Sequence, residues 1–210
     1  MSQKSGRESE KRNKGADKMA NPRQIHKYQT NKYLLEALDF LQPADVENAS
    51  HLHHKYSRIR LVGLDYSKGT GDSTVTADIN LDAGTVKYIT EVILHGNYNL
   101  KVYSEQKILS HTRDESGMAK VTAFNIMYDS NRNYCWQVSI ENGVGVPQKH
   151  ETGGIALQKG TYKKLKQVNI YMNDIDMKKF FIKVRDYVNT WETVHMRALL
   201  NARENAEVAK

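Results

Sequence analysis

Three groups of residues carry the side chains a functional site would need. The first is His51-Leu52-His53-His54. On a strand His51 and His53 share a side, and on a helix His51 and His54 do. Either pairing would set two imidazoles on one divalent metal, with Asp45 or Glu47 as oxygen ligands. A metal held there would activate water for phosphodiester cleavage, the chemistry of a nuclease. The spacing matches no established ligand motif, so metal and nuclease form one alternative reading, a protein-only interaction module without nucleic-acid contact forms another, and the primary one needs no cofactor.

The second group mixes cations with aromatic rings. Arg58 and Arg60 fall on one side of an extended run. Lys159, Tyr162, Lys163, Lys164 and Lys166 precede Asn169 and Tyr171, and Lys178, Lys179, Lys183 and Arg185 follow. Lysines tracking phosphates and tyrosines stacking on bases are how single-stranded nucleic acids are commonly held. The third group is the stretch Gly143–Gly154, which sets Gln148, Lys149 and His150 between glycines. A loop of that length in a compact domain is often functional. The expected nucleic-acid contacts are therefore Arg58, Arg60, Lys149, His150, Tyr162, Lys163, Lys164, Lys166 and Tyr171.

Other signals are structural. Gly69-Thr70-Gly71 lacks the Lys-Ser/Thr and the helix of a phosphate loop, and reads as a hairpin turn. No Ser-His-Asp, Cys-His or paired-carboxylate set stands out by spacing. Cys135 reads as a small buried strand residue beside Trp136, and Trp136 is expected to meet Trp191 in the core.

Composition bounds the rest. The 210 residues suffice for a sizeable core. One cysteine excludes an internal disulfide framework and fits a reducing compartment, so the expected location is the cytoplasm. No apolar run is long enough for a bilayer span. The net charge is +7, and residues 1–32 hold nine Lys/Arg against Glu8, Glu10 and Asp17, which leaves +1 for the remainder. A basic, polar segment of this kind suits salt-dependent contact with phosphates.

The elements that must position these residues follow from periodicity. Residues 1–30 read as a disordered basic tail. Residues 31–55 read as a helical segment: Asn31 caps a face of Leu34, Ala37, Leu38 and Leu41, Pro43 ends it, and a second helical piece spans Ala44–His54. Residues 56–200 read as a single α+β domain. Ser73–Leu81 alternates, with Val75, Ala77, Ile79 and Leu81 on one face. Asp82–Leu94 has helical spacing with Gly96 to stop it, and Ala119–Tyr128 with Asn133–Glu141 reads as a hairpin. Lys163–Met172 is the last strand. It leads into a helix from Asn173 to Leu200 whose stripe is Met177, Phe180, Phe181, Val184, Val188, Trp191 and Leu199. Residues 201–210 read as a fraying end. The expected fold is a mainly antiparallel twisted sheet covered by helices, in the order ββα then βββα.

The segment AKVTAFNIMYDSNRNYCWQVSIENGVGV, the later Gly-Gly, and the helix ending in Trp191-Glu192 resemble small accessory proteins of Gram-positive conjugative plasmids and transposons. The likeness covers residues 119–192. Some accessory proteins of that setting are anti-CRISPRs acting on type II Cas9. The resemblance thus implies binding of nucleic acid, single-stranded or guide RNA, or of the Cas nuclease complex, with inhibition of Cas9 as the outcome. It carries over no catalytic residue. A β-β-β-β-α order also resembles single-strand-binding folds of the Whirly type, by topology alone.

Overall fold

The computed structural model describes residues 23–44, 52–96, 100–149 and 153–208. Over these residues the chain is α+β, with ten strands in antiparallel sheets and two helices. Strands β1 (Gln24–Gln29), β2 (Tyr33–Phe40), β3 (Arg58–Asp65) and β4 (Val75–Leu81) form a meander in chain order, and α1 (Ala83–His95) follows. Strands β5 (Lys101–Leu109), β6 (Ala119–Tyr128), β7 (Trp136–Gly145) and β10 (Lys163–Met172) form a second meander, and α2 (Asp174–Val208) follows it. Between β7 and β10 a small hairpin pairs β8 (Pro147–Lys149) with β9 (Ile155–Leu157). Among the described residues no helix is long and apolar enough to cross a membrane.

The two halves repeat one another in detail. Asp82 caps α1 by accepting the Thr85 N–H at 2.8 Å, and Asn173 does the same for α2 from Asp176 at 2.8 Å. Four buried positions of α1, Val86, Ile89, Thr90 and Ile93, recur 91 positions on in α2 as the buried Met177, Phe180, Phe181 and Val184. The helices meet at equivalent residues, where the Thr90 hydroxyl lies 3.3 Å from the Phe181 carbonyl. Inner faces of both sheets (Leu35, Leu61 and Ile79; Phe124, Val138 and Ile170) join both helices in one buried cluster. The edge strands β4 and β10 are each hydrogen-bonded by a side chain of the other sheet. Asn142 bonds both backbone groups of Asp78 at 3.0 and 2.7 Å, and Tyr28 donates to the Tyr171 carbonyl at 3.1 Å.

Several expectations need correction. The predicted N-terminal helix is β2, and residues 24–29 of the predicted tail are β1. Leu34, Ala37, Leu38 and Leu41 mimic a helical face, but β1 and β3 pair with β2 on both sides. That pairing buries Leu35 and Ala37 and leaves Leu34 and Leu38 on the outer face. The predicted second helical piece is, where described, an extended bridge: Ala44 bonds Leu52 and His54 bonds Gln42. The first half is consequently ββββα. At the other end α2 continues to Val208, so the expected fraying from 201 gives way to helix. Residues 1–22 of the predicted tail lie outside the described residues.

The tryptophans do not meet. Trp136 is fully buried, with its indole N–H 3.0 Å from Asp174 and Tyr128 edge-on at 4.8 Å. Trp191 instead lies between two imidazoles, His53 at 4.9 Å and His195 at 3.8 Å, both stacked.

Candidate nucleic-acid interface

Strand alternation divides the second sheet cleanly. Val138 and Ile140 of β7 and Val168, Ile170 and Met172 of β10 are fully buried. Their alternates must stand on the outer face, away from the helices. Register sets these alternates in rows across β10, β7, β6 and β5. The middle row is Asn169, Ser139, Asn125 and Ser104, four uncharged hydrogen-bonding side chains, one from each strand. Beside it run Tyr171, Gln137, Met127 and Lys101 on one side, and Gln167, Glu141, Ala123 and Gln106 on the other.

These side chains are bonded to one another. Gln137 donates to Asn169 at 3.2 Å, Gln167 to Ser139 at 3.1 Å and to Asn169 at 3.3 Å, and Ser104 to Asn125 at 2.7 Å. Amide and hydroxyl groups so linked are held in place while keeping unused donors and acceptors for a ligand. The fold does not require this chemistry. At the equivalent places of the first sheet, the row that runs across β4, β3, β2 and β1 reads Asp78, Val62, Glu36 and Lys27.

Cations and rings frame the face. At one end Tyr162 lies over Gly143, where an added Cβ would sit 2.7 Å from its ring, and it donates to Glu141. Burial first, and then the Glu141 carboxylate, push the Tyr162 hydroxyl pKa up, so the group stays a donor. Lys164 bonds Gln167 at 2.9 Å and pairs with Glu141 at 3.5 Å, which offsets the one carboxylate of these rows. A bulge between Lys164 and Lys166 turns Leu165 out, 65% exposed, and Lys163 and Lys166 are exposed beside it. At the other end Tyr171 meets Tyr33 edge-on at 6.3 Å. Lys164 and Tyr171 are about 23 Å apart by strand rise, the reach of a short strand of nucleotides.

The structure thus brings Tyr162, Lys163, Lys164, Lys166 and Tyr171 to one sheet. Arg58 and Arg60 stand on the outer face of the other sheet. Arg60 pairs there with Asp78 at 2.9 Å and Arg58 bonds the Ser57 carbonyl. Lys149 is exposed on β8, and His150 lies outside the described residues. The expected long glycine loop is mostly structured. Gly143 and Gly145 belong to β7 and leave room for Tyr162 and Leu157, whereas Gly153 takes a left-handed φ of 86°. Gly69 and Gly71, at φ 122° and 68°, make the turn between β3 and β4 as their residue types imply.

The two described histidines of the His51-Leu52-His53-His54 group, His53 and His54, have partners within the fold. Both ring nitrogens of His53 are engaged, Nδ1 with Ser57 at 3.0 Å and Nε2 with Glu192 at 2.9 Å. Glu192 also receives Lys87. Burial raises the Glu192 pKa, but the bonds from Lys87 and His53 outweigh it and hold the carboxyl below its usual range. His53 thereby fastens the β2–β3 connection to α2. His54 accepts the Tyr56 N–H at 3.3 Å. His51, Asp45 and Glu47 lie outside the described residues. Among the described residues no group of three or more His, Cys, Asp or Glu side chains is gathered to hold a metal ion.

Of the amide row, Ser139 alternates in sequence with Trp136, Val138 and Ile140, and in the structure it is 5% exposed and bonded by Gln167. That Asn125 and Ser104 extend it is a matter of register. Comparison with known proteins finds no matching family model, no matching curated protein and no matching solved structure. The resemblance over residues 119–192 rests on its motifs alone.

Proposed function

We propose that this protein binds single-stranded nucleic acid across the outer face of its second sheet. The observation that carries the reading is the row Asn169, Ser139, Asn125 and Ser104, uncharged and crossing all four strands where the first sheet has charged or apolar residues. Exposed Lys163 and Lys166, with Lys164, take phosphates at one end, and Tyr162 and Tyr171 offer ring faces to bases. The amides meet the Watson–Crick edges that a single strand leaves open and a duplex hides. The basic N-terminal segment adds charge and salt dependence by composition. Inhibition of an RNA-guided nuclease is the finer form of this reading, through occupation of the guide RNA's single-stranded part.

Fluorescence anisotropy with labelled single-stranded and duplex DNA and RNA, at low and moderate salt, tests it. Binding of a single strand over its duplex, weakening with salt and leaving the polymer intact, is expected. Equal binding to duplex, or no binding at low salt, overturns it. A guide RNA in the same titration tests the finer form.

A further inference from the structure

Where the outer face meets Tyr171, two turns enclose an open cavity of about 730 Å³. One turn joins β1 to β2 and supplies Lys32 and Tyr33; the other joins β6 to β7 and supplies Arg132 and Tyr134. Three tyrosines thus form its walls, two cations stand with them, and the remaining lining is amide or hydroxyl side chains. Among the described residues no aliphatic side chain takes part, which is unusual for a cavity of ligand size. Both turns are built in advance. The Thr30 hydroxyl accepts the Tyr33 and Lys32 N–H groups at 3.0 and 3.2 Å, and Asp129 accepts the Asn131 N–H at 3.0 Å and pairs with Arg132 at 3.0 Å. A second, smaller cavity shares Arg132, Tyr134 and Tyr171 and is lined also by Leu100, Asp129 and, from the amide face, Gln137 and Met127, so it adjoins that face.

Flat rings, cations and hydrogen-bonding groups in one cavity match a planar, hydrogen-bonding ligand that carries negative charge. We infer that this cavity holds one unstacked nucleotide of the bound strand, its base against Tyr134 and Tyr171 and its phosphate toward Lys32 and Arg132. The inference rests on the proposed single-strand reading and adds to it a pocket for a discrete nucleotide. A stacking contact accounts for a Tyr134 ring that stands 56% exposed in a turn.

The test is ligand-observed NMR of the full chain with adenosine 5′-monophosphate, adenosine and inorganic phosphate. It is repeated on Tyr134→Ala and Arg132→Gln after their folding is checked by circular dichroism. Saturation transfer to the base of the monophosphate is expected, weaker for adenosine. Tyr134→Ala should weaken binding by about 5- to 100-fold, the worth of one stacked base, and Arg132→Gln should remove the advantage of the monophosphate over adenosine. No transfer, or transfer unchanged in Tyr134→Ala, overturns the pocket. Anisotropy with a single-stranded oligonucleotide separates the two readings. A strand that binds wild type and Tyr134→Ala equally, with no monophosphate transfer, refutes the pocket and leaves the face standing. Monophosphate binding lost in Tyr134→Ala, without strand binding, supports the pocket and refutes the face.

Discussion

Gly143→Ala probes how tightly the interface is anchored. Gly143 sits in β7 opposite Lys164 of β10, and its φ is not positive, so alanine meets no backbone strain there. On that ground alone the substitution would stabilise by about 0.4–1 kcal/mol through the unfolded chain. Space decides otherwise. The new Cβ would lie 2.6 Å from the Lys163 carbonyl oxygen and 2.7 and 2.9 Å from the Tyr162 ring and hydroxyl. A ring could swing aside, but the carbonyl belongs to the paired neighbouring strand and cannot move without it. Overpacking costs about 1–3 kcal/mol, and a clash with backbone falls in the upper part of that range, about 2–3 kcal/mol, so the net loss is about 1–2 kcal/mol. At about 2–4 °C per kcal/mol for a chain of this size, Tm falls by about 2–8 °C. Thermal and urea denaturation measure it. Gly63→Ala is the control: its Cβ would meet the Val168 and Ile170 side chains at 3.1 and 3.3 Å, which can give, so its loss should be smaller. Adding Tyr162→Ala to Gly143→Ala should not restore stability, because the carbonyl remains. A Gly143→Ala protein as stable as wild type, or one rescued by Tyr162→Ala, refutes the reasoning.

Three further outcomes are expected. Asp82→Ala and Asn173→Ala each remove a helix cap and should each cost about 1 kcal/mol in urea denaturation. Charge reversal at Lys163, Lys164 and Lys166 should weaken strand binding and reduce the slope of log affinity against log salt by about 0.7 per lost phosphate contact. For His26, burial first and the nearby Lys183 second lower the folded pKa below 6.5. The fold therefore favours the neutral ring, and its contribution is complete above pH 6.5 and lost as pH falls below it. Denaturation midpoints of wild type and His26→Gln should converge or cross between neutral pH and the onset of carboxylate protonation. Parallel curves would count against this.

Much of the scaffold could be read from local pattern. The alternation of Val75–Leu81, the helix beginning at Asp82 and stopped at Gly96, and the start of α2 at Asn173 each depend on neighbours in sequence, and each stands where expected. The sequence of β2 reads as a helix because Leu34 and Leu38, on its outer face, complete a helical period that the buried pair Leu35 and Ala37 does not dispel. Only the hydrogen bonds offered by β1 and β3 decide the matter, and they come from distant residues. Trp191 was placed in the core by its period on α2, yet the stripe outruns the sheets and its ring is covered by His53. The groove was illegible for the same reason. Tyr33, Tyr134 and Tyr171 are far apart in sequence, and only the two meanders bring their turns together.

The most direct test of the account compares two double variants in one titration with a labelled single strand. Asn125→Ala with Asn169→Ala removes both asparagines of the row, and Arg58→Ala with Arg60→Ala removes two cations of the other sheet. At about 0.5–1.5 kcal/mol per hydrogen bond lost, the asparagine pair should weaken binding by about 5- to 100-fold. The arginine pair should leave affinity close to wild type. Unchanged affinity in the asparagine variant, with loss confined to the arginine variant, would contradict the account and move the interface to the first sheet.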